Sequence, residues 1–70
     1  MDLNALEALL QEAKAIKNKH GVYTGKSYAR LQKAINHTEK VLRKDKSETT
    51  IEREYNNLLD AIEQLEYRKK

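Results

Sequence analysis

Leu3, Leu6, Leu9, Leu10, Ala13 and Ile16 recur at intervals of three and four residues, which gathers them along one stripe of an α-helix. The spacing predicts a first helix over about 3–19. Asp2 is its expected N-cap, and His20-Gly21, just past a lysine-rich last turn, supplies a glycine suited to the left-handed residue that closes helices. A second stripe of Tyr28, Leu31, Ala34, Ile35, Thr38, Val41 and Leu42 predicts a helix over about 25–43. Ile51, Tyr55, Leu58, Leu59, Ile62 and Leu65 predict a third over about 48–66, after which Tyr67-Arg68-Lys69-Lys70 is expected to fray. Ser47 is the expected N-cap of that helix, with Thr49 competing through a Thr49-x-x-Glu52 capping box. No stretch alternates apolar and polar residues as a strand would. Three amphipathic helices with short connections imply an all-α, antiparallel up-down-up bundle whose handedness the pattern leaves open.

The reversal between the first two helices is the most fully specified segment. In Tyr23-Thr24-Gly25-Lys26-Ser27-Tyr28, Thr24 suits the N-cap, where its hydroxyl can accept from the Ser27 N–H. Tyr23 and Tyr28 then fall at the two positions of a hydrophobic staple.

Seventy residues make one domain, with a thin core that buries only about 60% of the unfolded surface. The chain has no Cys and no Pro, so neither a disulfide nor a Cys-bound metal can staple it, and helix packing must carry the fold. Zero cysteines leave the redox compartment unread. No apolar run has the length of a membrane span, so no membrane insertion is expected, and the first residues lack the pattern of a signal peptide.

The net charge of +3 is unevenly distributed. Residues 1–20 balance. Residues 21–46 carry Lys26, Arg30, Lys33, Lys40, Arg43, Lys44 and Lys46 against Glu39 and Asp45, whereas the remainder is net acidic.

Taken together, Tyr23-Thr24-x-x-Ser27-Tyr28-x-x-Leu31-x-x-Ala34-Ile35, then Val41-Leu42, a polar turn, and Ile51-x-x-x-Tyr55-x-x-Leu58-x-x-Ala61-Ile62-x-x-Leu65 resemble the FIVAR module. The resemblance covers Leu6 to Leu65. It implies a three-helix accessory module of secreted or wall-attached bacterial proteins, often beside carbohydrate-active domains or in repeated surface arrays, with no catalysis of its own. Residues 1–70 are therefore expected to form a single module of a larger multidomain protein, extracellular or cell-wall associated. The matching positions are core and cap positions, so no ligand residue is carried over. Gly25 stands where that family usually has proline, and Tyr28 where tryptophan is more typical.

The candidate binding residues are Lys26, Arg30, Lys33, His37, Lys40 and Lys44, spaced by four, three, four, three and four. At ~100° per residue they fall within roughly 80° of one another, opposite the apolar stripe of the same helix. A row of cations suits a polyanion such as a sulfated or carboxylated glycan, a wall teichoic acid or another phosphate polymer. The plainer reading is a solvated face. Like charges at i,i+4 cost a few tenths of a kcal/mol each, about 0.2–0.5 per pair, and that cost is the physical hint that something maintains the ridge.

Other chemistry finds less support. Tyr23, Tyr28, Tyr55 and Tyr67 could stack on sugars, but Tyr23 and Tyr28 are expected in the staple and Tyr55 in the core, which leaves Tyr67 facing outward. His20 and His37 lie on different elements without a second ligand at metal-binding spacing, and no metal or cofactor is expected. Asp60, Glu63 and Glu66 read as solvated carboxylates, and Ser27, Ser47, Thr24 and Thr49 as caps and not nucleophiles. Asn36-His37-Thr38 matches a glycosylation sequon, yet Thr38 is expected to point inward. Nucleic-acid binding would need a base-reading set that the second helix lacks.

The expected function is thus non-catalytic: spacing and presenting neighbouring domains of the parent chain, with weak adhesion to a glycan or anionic cell-wall polymer through the basic ridge, as a monomer. A dedicated carbohydrate-binding module and a protein-docking module are the alternatives.

Overall fold

The computed structural model describes residues 2–67. Helices α1 (Leu3–Ala15), α2 (Gly25–Lys44) and α3 (Glu48–Glu63) form the antiparallel up-down-up bundle that the pattern predicts. The bundle is a rod of 43 × 17 × 16 Å. Its core is built from Leu6, Leu9, Leu10 and Ala13 of α1, Leu31 and Ile35 of α2, and Ile51, Leu58 and Ala61 of α3. Leu3, Ile16, Ala34, Leu42, Tyr55, Leu59, Ile62 and Leu65 pack around it, half-buried. Val41, expected on the buried stripe, is half-exposed at its edge.

All three expected caps are present. Asp2 accepts from the Ala5 N–H at 2.9 Å, Thr24 from Ser27 at 3.2 Å, and Ser47 from Thr50 at 3.4 Å. Thr49 lies inside α3, so Ser47 prevails over it. Asp45 explains why: its carboxylate accepts from the Ser47 N–H at 2.9 Å and the Thr50 hydroxyl at 2.7 Å, fixing the turn two residues before Thr49.

Two helix ends differ from expectation. α1 stops at Ala15 and not near Lys19, because Ile16 turns extended at φ −72°, ψ 118°. The freed segment finds other partners. The Tyr28 hydroxyl donates to the Ile16 carbonyl at 3.3 Å, and the Asn18 amide brackets Tyr23, accepting from its N–H at 2.8 Å and donating to its carbonyl at 3.4 Å. His20-Gly21 therefore does not close α1. It completes a separate 3₁₀ turn, Lys19–Gly21, with His20 at φ 59° and Gly21 at φ 67° in the left-handed region.

α3 stops at Glu63 and not near residue 66. The tail turns back onto the start of α2, where the Thr24 N–H donates to the Glu66 carbonyl at 2.9 Å and the Glu66 N–H to Ser27 Oγ at 3.2 Å. Tyr23 and Tyr67 form an antiparallel bridge. Tyr67 is thus pinned through its backbone instead of fraying, whereas Arg68, Lys69 and Lys70 lie outside the described residues.

Candidate functional site

Each of the six ridge residues lies on α2, and each is exposed. The helix brings them into one file, since eighteen residues separate Lys26 from Lys44 and span about 27 Å at ~1.5 Å per residue. The file is not uniform, however. Arg30 and His37 occupy its α3 flank and are tied there: Arg30 Nη1 donates to Gln64 Oε1 at 3.3 Å, and His37 Nδ1 meets Glu54 Oε1 at 2.8 Å. Lys26, Lys33, Lys40 and Lys44 project without a hydrogen bond or ion pair to the described residues. Towards the C-terminal end of α2, His37, Lys40, Val41, Arg43 and Lys44 line an open depression.

Glu54 is the residue that sequence reasoning missed. It lies three residues after Ile51 and four before Leu58, so helical periodicity puts it on the buried stripe of α3 despite its charge. It has no exposed surface. Three donors converge on its carboxylate: His37 Nδ1, the Thr38 hydroxyl at 3.4 Å, and Arg53 Nε at 3.3 Å to the other oxygen. An ionised carboxylate can accept from all three. Beside that spacing, a second signal was Thr38, a polar residue on the buried stripe of α2 that needs a partner across the interface. At 1% exposure Thr38 points inward as expected, whereas Asn36 and His37 of the same sequon are exposed in mid-helix.

A second feature stands at the end of the rod where α1 ends and α2 begins. Tyr28, Tyr23 and Tyr67 form a ladder, with centroids 6.5 Å apart at 8° for the first pair and 5.3 Å at 29° for the second. Tyr23 and Tyr28 are the expected staple. Both are half-buried, whereas Tyr67 is 72% exposed and Val22 beside the turn 44% exposed. Burial, and then the neighbouring Tyr67 phenol, push the Tyr23 hydroxyl above its ordinary pKa. At the opposite end, the Thr50 hydroxyl and the Ser47 N–H hold the Asp45 carboxyl below the usual carboxylate range.

Among the described residues no three His, Cys, Asp or Glu side chains gather as metal ligands would, and no helix is long and apolar enough to cross a membrane. No protein-family model, curated protein or solved structure matches the chain.

Proposed function

We propose that this chain is a non-catalytic accessory module that spaces and presents neighbouring domains of an extracellular bacterial protein, with weak adhesion to polyanions through the exposed cations of α2. The observation that carries the reading is the path of the chain through the rod. Leu3 lies beside Leu42 and Lys46 at one end, whereas Tyr67 pairs with Tyr23 at the other, so the chain comes in and leaves at opposite ends of a 43 Å axis. Such a unit adds length to whatever it joins. The resemblance to FIVAR modules supports the extracellular setting, and the file of Lys26, Lys33, Lys40 and Lys44 supports the adhesion.

Small-angle scattering on two copies joined in tandem tests the spacing role. The maximum dimension is expected to grow by close to the 43 Å long axis of one copy. Side-by-side collapse of the copies would overturn it. For adhesion, amide shifts during a heparin titration should localise to Lys26, Lys33, Lys40 and Lys44 and weaken steeply with salt. Shifts confined to other surfaces would remove the ridge from the reading.

The tyrosine ladder favours a second reading, a dedicated carbohydrate-binding module. Tyr67 rests one ring face near Tyr23 and is otherwise largely open, and its backbone is fixed by the bridge, which gives a flat aromatic surface for a pyranose. Binding there would be nearly independent of salt, which separates the two.

A further inference from the structure

His37 differs from every other member of the ridge in being held by a buried group. Glu54, with no exposed surface, fixes Nδ1 at 2.8 Å, while the His37 side chain remains 62% exposed. The ring is thus anchored at one nitrogen, and its second nitrogen, Nε2, is left without a protein partner among the described residues. A carboxylate behind an imidazole is also how proteins orient a histidine for a metal. The surroundings here select the opposite charge. Lys33, Lys40, Lys44 and Arg30 share its face of α2, the Glu54 charge is already met by Arg53 and Thr38, and the depression beside His37 is lined by Lys40, Arg43 and Lys44.

We propose that His37 is the anchoring donor of the ridge, binding through Nε2–H one oxygen of a tetrahedral oxyanion, a phosphate or sulfate group of the polymer, whose charge Lys33 and Lys40 share. The inference rests on the ridge being an anion-binding surface. Glu54 is a positioning residue: it holds the ring so that Nε2 faces outward. Because Nδ1–H is committed to the Glu54 carboxylate, a neutral ring offers only a lone pair at Nε2, which repels an oxyanion. The protonated ring offers an N–H. Oxyanion binding at this point therefore favours the protonated ring. The charged groups that set that balance are Lys33, Lys40, Lys44 and Arg30 on α2 and Glu54 and Arg53 on α3.

The test is a titration of the whole chain with tripolyphosphate and, separately, with a heparin oligosaccharide, followed by amide and imidazole shifts at about pH 5.5 and about pH 8. Affinity for both probes is expected to fall about tenfold or more at the higher pH, the worth of one charge-assisted hydrogen bond. A fall with tripolyphosphate alone would identify phosphate as the group recognised, and with heparin alone sulfate. His37→Ala should abolish the pH dependence with heparin, whose sulfates stay ionised at both values. With tripolyphosphate, whose terminal phosphate gains charge at about pH 6, it should turn the fall into a modest rise. Lys26→Ala should weaken binding about two- to threefold at both values. At about pH 8 the ring nitrogen shifts of the free protein should report the Nδ1–H tautomer, and Glu54→Met should release it to a mixture. Binding that is equal at both pH values, or unchanged by His37→Ala, overturns the inference and leaves the ridge reading standing. An Nε2–H tautomer in the free wild-type protein overturns it as well. Absence of binding to either probe overturns the ridge reading and this inference together.

Discussion

Glu54 Oε1 lies 2.8 Å from His37 Nδ1, joining a carboxylate with no exposed surface to a largely exposed imidazole across the α2–α3 interface. The pair is lopsided. Only Glu54 has lost its water, so its burial is the unfavourable part, and the three donors around it offset that cost. Removing a donor should therefore hurt more than removing the acceptor. His37→Ala is expected to destabilise by about 1–3 kcal/mol, since it strips the shortest bond from a buried charge. Glu54→Met removes the buried charge and fills its volume but takes the acceptor from the buried Thr38 hydroxyl, so it should fall close to neutral, within about 1 kcal/mol. Urea denaturation of both variants checks the order, and a Glu54→Met loss larger than that of His37→Ala would show that the pair is a net stabiliser.

At the start of α2, two neighbouring substitutions should move stability in opposite directions. Thr24 holds the cap and its N–H holds Glu66, so Thr24→Ala is expected to cost about 1 kcal/mol through the lost side-chain acceptor alone. Gly25 is at N1, a Cβ there would meet nothing within 4 Å, and Thr24 at φ −64°, ψ 145° already has the extended backbone that must precede a proline. Gly25→Pro should accordingly raise stability by about 0.4–1 kcal/mol by restricting the unfolded chain. Thermal midpoints measure both, and a midpoint lowered by Gly25→Pro would show that the Gly25 N–H is engaged.

These two substitutions sit in the part of the fold that was most legible. Thr24, Ser47 and Asp2 were readable as caps because capping is decided by a residue and its next three neighbours. The ends of α1 and α3 were not. Ile16 continues the spacing of Leu9 and Ala13, and Leu65 continues that of Leu58 and Ile62, so periodicity runs past both ends without a break. What stops α1 is a hydroxyl on another helix, Tyr28, together with the Asn18 amide around Tyr23. What turns the tail is the N-cap of α2 seen from the far end of the sequence. The ridge was legible as a file of cations, but its division into tied and untied members was not. That division depends on which residues of α3 come to lie beside Arg30 and His37, and these are Gln64 and Glu54.

Asp45 gives a prediction at acid pH. Its carboxyl is held below the usual range first by the Thr50 hydroxyl, then by the Ser47 N–H. A depressed folded-state pKa means that the ionised form favours the native turn. That contribution is complete above the unfolded value of about 3.9 and disappears as pH falls through the folded value. Carbon-detected titration of the Asp45 carboxyl should give a midpoint below about 3.9, and Thr50→Val should raise it. A Thr50→Val midpoint equal to that of the parent would mean that the 2.7 Å hydroxyl contact does not hold in solution.

The tyrosine ladder makes the corresponding prediction at alkaline pH and also tests whether the tail is pinned. The Tyr23 phenol is pushed up by burial first and by Tyr67 second, so its neutral form is the one the native state prefers. The stability this gives is fully present below the unfolded value of about 10 and is lost as pH rises through the higher folded value. Tyr67→Ala removes the second cause and uncovers part of the first, so the Tyr23 midpoint should move down towards about 10. The same substitution should speed hydrogen exchange at the Thr24 amide, whose acceptor is the Glu66 carbonyl. Both changes follow only if the tail rests on the turn between α1 and α2. A Tyr67→Ala variant with the Tyr23 midpoint and the Thr24 exchange rate of the parent would mean that the rod ends at Glu63 and that Tyr67 hangs free of it.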